Sequence, residues 1–173
     1  DAHQAVKRIF KEYGVPPALI CDAAREQIFG EVRVICQQAG AELIYLEKGT
    51  HNANRAEREI ATLKQGTRRD LHDNGSPAVF WCYALERRAA INNAIPRDNI
   101  NCQNQTPETV MTGKPTDISN ISEFKFYEWV KYKREGVQFP FTSNQIGRCL
   151  GPAIGQGSRM CQHVLTDKGN VMP

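Results

Sequence analysis

The sequence predicts an α/β layer followed by a small all-β module, and three observations carry that expectation. Apolar residues recur at helical spacing in several segments before residue 96. Two short apolar runs of strand length lie between the first three of those segments, and alternation of this kind packs helices against a sheet. Beyond residue 122 the texture changes to apolar and aromatic runs punctuated by glycine, FKFYEWVKYK, IGRCLGPAIGQG and MCQHVLTDKGNVM, which read as short strands.

Taken in order, Val6, Ile9, Phe10 and Tyr13 share a face and predict a helix over Ala2 to Tyr13, which Gly14 and Pro16-Pro17 break. Ala18 to Cys21 then reads as a buried strand ending at Asp22, so a carboxylate is expected at the strand's C-terminal edge. Ile28, Val32 and Cys36 predict a helix from about Glu26 to Ala39, ended by Gly40. A second strand is expected over Glu42 to Leu46, and the polar stretch Glu47 to Asn54 is expected to be a loop. From Arg55 a strong helix runs to about His72 with Ile60, Leu63, Thr67 and Leu71 on one face. Ser76-Pro77 has the chemistry of an N-cap and first helical residue for a further helix, Ala78 to about Ile95, carrying Phe80, Trp81, Leu85 and Ile91 and stopped by Pro96. Arg97 to Ser122 is rich in Asn, Thr and Pro and reads as a connector with at most one short helix, Pro107 to Met111. In the last segment Asp167-Lys168-Gly169-Asn170 has hairpin-turn chemistry. The expected organisation is thus a core over 1–96, a connector over 97–122 and a β-rich module over 123–173.

Composition narrows the classes. With 173 residues, 40% hydrophobic and 24% charged, the chain has the make-up of a folded domain rather than a disordered one. No run approaches the roughly 18 apolar residues of a membrane span, and the first residues carry no apolar signal-peptide core, so a membrane or secreted protein is disfavoured. The formal charge of +3 is too small to argue for nucleic acid by itself; the placement of the cations has to decide. Six cysteines lie far apart without a CxxC pair or zinc-type spacing, so reduced and mostly buried thiols are expected.

Asp22, at a strand end, and Glu57, in the first turn of a helix, are the residues whose placement suggests chemistry, because such termini meet at one edge of a layered fold. Mg²⁺ takes one or two carboxylates and leaves positions for water and phosphate, which suits metal-assisted phosphoryl transfer. The plain alternative is a pair of ordinary surface carboxylates, with Glu57 favouring its helix N-terminus electrostatically. At 100° per residue, Lys64 and Arg68 fall within about 20° of the Glu57 direction. The three therefore share a stripe beside the apolar one, either a face offered to a phosphate backbone or a solvated face of mixed charge. His51, His72 and His163 carry no argued role.

The segments ALICDAAREQ, THNANRAEREIATLKQ, SPAVFWCYALERRAAINN, TPETVMTGKPTDIS and FYEWVKYK, in that order, resemble the integrase part of Ty1/copia-type retrotransposon polyproteins. The resemblance implies a partial RNase H-like, retroviral integrase-type core followed by a small β module. Asp22 in CDAAREQ matches the second member of the family's Asp, Asp, Glu metal-binding triad, and Glu57 in NRAER matches its Glu. Between them lie 34 residues, one fewer than the family spacing, with Glu59 as the fallback. His51-Asn52-Ala53-Asn54 stands where the family has an Asn-Gly before the Glu.

What the resemblance implies is DNA strand transfer in the complete parent, with Mg²⁺ or Mn²⁺ held at Asp22 and Glu57. Lys64, Arg68 and Arg55 are expected to contact nucleic acid, and element ends and target DNA are the partners. A homo-oligomer and a nuclear setting are implied as well. The family's first Asp lies on a strand well upstream, and Asp1, before a helix, is a poor substitute. A C-terminal piece of an integrase, inactive by itself, is therefore expected. A non-catalytic nucleic-acid-binding relic of a transposable element, using Lys125, Lys131, Lys133, Arg134 and Arg148, is the alternative.

Overall fold

A computed structural model of the chain describes residues 2–22, 30–46, 55–98, 102–134, 136–154, 156 and 160–173. The chain forms two compact units, Asp1–Glu59 and Ile60–Pro173.

In the first unit, helix α1 (Ala2–Tyr13) leads to strand β1 (Ala18–Asp22), helix α2 (Gly30–Ala39) and strand β2 (Glu42–Leu46). β1 and β2 pair in parallel with Leu19 opposite Leu43 and Ile20 opposite Ile44. Parallel strands need a crossover connection, and α2 lies on it, which makes this an α/β unit. Val32, Cys36 and Ala41 form its core, and Val6, Phe10, Leu19 and Leu43 pack against them, so α1 and α2 both contribute to one apolar cluster with the Leu19/Leu43 face. Ile20 and Ile44 belong to the opposite face and are exposed. Gly40, at φ +77°, ends α2: its N–H donates to the Gln37 carbonyl, and the Ala41 N–H donates to that of Cys36. The sequence-expected first turn of α2 (26–29) and the expected loop 47–54, with His51, lie outside the described residues.

Helix α3 (Arg55–Asp73) follows, ended by Gly75 in the same way as α2. A single 3₁₀ turn (Ala78–Phe80) then runs into helix α4 (Trp81–Ala94), and the short helices α5 (Pro107–Thr112) and α6 (Ser119–Ser122) come next. Strands β3 (Trp129–Lys133), β4 (Asn144–Pro152), β5 (Gln162–Leu165) and β6 (Val171–Met172) form an antiparallel meander in that order. The second core joins helix to sheet. Ala84, Phe126 and Leu150 are its buried members, and Leu71, Phe80, Tyr83, Tyr127, Leu165 and Val171 pack around them.

Three local expectations are corrected here. Ser76 does not cap: its hydroxyl turns to the Pro77 carbonyl, and with Pro77 extended at ψ 140° the chain enters α4 through the 3₁₀ turn. Trp81 is exposed instead of facing the core, because the packing face of α4 centres on Ala84, whose small side chain lets the sheet approach. The connector holds two short helices. In α5 the Thr106 hydroxyl accepts from the Thr109 N–H at 3.0 Å, Pro107 opens the first turn, and Gly113 in a left-handed conformation closes the last.

Candidate functional site

Asp22 is the last residue of β1, and its side chain lies outside the described part. Glu57 is the third residue of α3 and is exposed; Glu59, the fallback, is half-buried. Arg55, Lys64 and Arg68 are all exposed, so the charged stripe of α3 faces solvent. The neighbouring stripe packs inward through Leu63, Thr67, Asp70 and Leu71, while Ile60, expected there as well, is half-exposed. Thr67 is buried at no cost to its hydroxyl, which donates to the Leu63 carbonyl at 2.9 Å.

Asp70 was not expected in a core. It is buried in the middle of the inward stripe and takes a two-pronged ion pair from Arg88 of α4: Nε donates to Oδ2 at 2.8 Å, and Nη2 donates to Oδ1. A planar guanidinium on a carboxylate is geometrically exacting, so this pair sets how α3 lies on α4. Gly66 makes it possible, since a Cβ there would stand 2.9 Å from Arg88 Cδ. The adjacent Arg87 turns the other way and donates through Nη2 to the carbonyls of Ile121 and Phe124, at 3.2 and 3.0 Å, tying the connector to α4. Burial pulls the Arg87 pKa below its ordinary value; the nearby Asp70 opposes that shift.

Lys131 and Lys133 of β3, Lys125 before the strand and Arg134 after it are exposed. Arg148 is different. Its Nη1 donates to the Tyr127 carbonyl at 2.9 Å, and its guanidinium lies 3.6 Å from the centre of the Trp129 ring and 4.7 Å from that of Tyr127. The residue that sequence reasoning passed over is Trp129, and the period-two order Trp129, Lys131, Lys133 in WVKYK was the available signal.

Mg²⁺ favours carboxylate oxygens, so Asp22 and Glu57 are of the right donor type. No three His, Cys, Asp or Glu side chains converge as a metal-ligating group among the described residues. His72 is exposed beside Asp73, at 3.3 Å. His163 packs edge-on against Tyr83 with ring centres 5.3 Å apart, a structural role. Of the six cysteines, Cys36, Cys102 and Cys149 are buried, Cys21 and Cys161 are half-buried and Cys82 is exposed. Burial pushes the thiols of Cys36 and Cys149 above their ordinary pKa. No helix among the described residues is long and apolar enough to cross a membrane.

No family model matches the chain, and no curated protein matches it. Among solved structures, the chain is similar to one in the cryo-EM structure of the simian T-cell lymphotropic virus intasome in complex with PP2A regulatory subunit B56 gamma. The identity is 14% and the TM-score 0.46 over 99% of this chain, which spans 61% of the length of that one.

Proposed function

We propose that the chain is a segment of a Ty1/copia-type retrotransposon integrase, a partial RNase H-like core with its following β module, and that its complete parent joins element DNA to target DNA. The observation that carries this reading is the order of elements around two carboxylates. Asp22 ends β1 of a parallel β1–α2–β2 unit, and the next helix, α3, holds the exposed Glu57 in its first turn. Asp22 and Glu57 would hold Mg²⁺ or Mn²⁺, which when bound supplies Lewis-acid stabilisation for phosphoryl transfer. Arg55, Lys64 and Arg68 neutralise DNA phosphates along α3, and the setting is nuclear and homo-oligomeric.

The test is paramagnetic line broadening of amide resonances by Mn²⁺. Broadening confined to residues near Asp22 and Glu57, and lost in a chain carrying Asp22→Asn and Glu57→Gln, is the expected result. Broadening that ignores those two positions overturns the metal assignment. A second reading, nucleic-acid binding without chemistry, is favoured by the exposed cations of α3 and β3. Duplex DNA affinity that is the same with and without Mg²⁺ at matched ionic strength, and indifferent to Asp22→Asn, selects it.

A further inference from the structure

Alternate residues of a strand share a face, and on β3 the sharing is uneven. Val130 is buried and Tyr132 half-buried, whereas Trp129, Lys131 and Lys133 all stand exposed. Across the β3–β4 ladder Trp129 lies opposite Arg148, Lys131 opposite Ile146, and Lys133 opposite Asn144. Ile146 and Asn144 are exposed too. The result is an open strip two strands wide and, at about 3.3 Å per residue, roughly 13 Å long. The core around Ala84 of α4 takes Leu150, Leu165 and Val171 from β4, β5 and β6 and no residue of β3.

An indole left 62% exposed gives up much of the burial that usually justifies the residue. Trp129 is nevertheless held. Arg148 covers one face of the ring, and Arg148 is itself fixed by the Tyr127 carbonyl, so the ring is oriented while its remaining surface is open to solvent. Pre-orientation lowers the entropy lost on stacking against a flat ligand. The strip also has a definite charge. Its six residues include three cations and no carboxylate, and Glu128 beside it turns its Oε2 to the Lys125 N–H at 2.8 Å.

We infer that this strip is a stacking platform for single-stranded nucleic acid, with Trp129 taking the face of an unpaired base and Lys131 and Lys133 taking phosphates along the strand. A duplex fits less well, because its bases are already stacked on one another and offer no free face. A second copy of the strip would set Lys131 and Lys133 against their own charge. The platform goes beyond duplex joining at Asp22 and Glu57 and needs neither residue.

The experiment uses the full chain carrying Trp81→Phe, which leaves Trp129 as the sole tryptophan. Its fluorescence is titrated with oligodeoxyuridylate, oligouridylate and a duplex of equal length, with anisotropy of labelled strands as the affinity readout. The single strands should quench Trp129 and the duplex should not. A preference between the two single strands identifies the sugar and supports the platform. Trp129→Ala should weaken single-strand binding about ten-fold, and Trp129→Phe, which keeps a ring, should restore part of it. Lys131→Gln with Lys133→Gln should lower the slope of log affinity against log salt by about 1.4. Single-strand binding indifferent to Trp129→Ala, or equal quenching by oligoglutamate, overturns the inference. Quenching of Trp129 by the duplex as strong as that by the single strands overturns it too, while leaving the integrase reading intact; failure to bind either form of nucleic acid counts against both.

Discussion

Removing the carboxylate of Asp70 isolates the mostly buried guanidinium of Arg88, and the cost follows from the geometry. Taking away one partner of a buried ion pair costs about 3–5 kcal/mol, because the other charge is left without compensation. Here the side chains of Arg88 and Asp70 keep 23% and 12% of their exposure, so water reaches part of the orphaned group. The expected loss for Asp70→Ala is therefore about 2–3 kcal/mol. For a unit the size of Ile60–Pro173, that corresponds to a fall in melting temperature of about 10 °C. The assay is thermal and urea unfolding followed by far-ultraviolet circular dichroism. Asp70→Leu combined with Arg88→Met removes both charges while keeping apolar volume, and it should recover most of the loss. A cost below about 0.5 kcal/mol for Asp70→Ala, or a double variant less stable than the single one, would refute the reasoning.

Other perturbations have equally definite signs. Gly66→Ala gains up to about 1 kcal/mol of helix propensity but drives a Cβ against the pinned Arg88 chain, so it should destabilise by about 1 kcal/mol. In an Arg88→Ala background the same change should stabilise, and urea midpoints of the four chains decide it. Replacing Lys64 and Arg68 with Gln should lower the salt slope of duplex DNA binding by about 1.8, and an unchanged slope would remove α3 from the interface. The Cys36 and Cys149 thiols have raised pKa values in the fold, so the unfolded chain loses those protons first, near its ordinary value of 9.0. Their contribution is complete below about pH 9 and declines as pH rises above it. Urea midpoints measured from about pH 8 to about pH 10 should fall more steeply for the native chain than for Cys36→Ala with Cys149→Ala.

The elements held together by local periodicity were legible. Val6 and Phe10 on α1, and the run from Ala18 to Asp22, depend only on neighbours in the chain, and the helix and strand bounds there follow the apolar pattern. The α/β character follows from the same alternation, with Gly40 marking the end of α2 through its need for positive φ. What sequence reading missed depends on partners distant in the chain. Asp70 looks like a surface residue until Arg88, 18 positions later, reaches it. Trp81 looks like a core residue until Ala84 proves to be the point of closest approach. The exposure of Arg55, Glu57, Lys64 and Arg68 follows from helix geometry and from the inward stripe beside them. Arg148 was read as one more cation of a basic module, because nothing local reveals that Trp129 lies opposite it across the ladder.

The seating of α4 has a consequence for how this part of the chain opens. One of its faces grips α3 through Arg88, Arg87 holds the connector, and Ala84 sits in the core shared with β4. Amide hydrogen exchange should therefore find the inner turns of α4 and the central residues of β4 protected to the same free energy, as members of one foldon. A chain shortened to end at Ser122 would not be a smaller domain with a clean edge. It would lose Phe126 and Leu150 from around Ala84, leave Phe80 and Tyr83 facing water, and behave as a loosened, dye-binding globule.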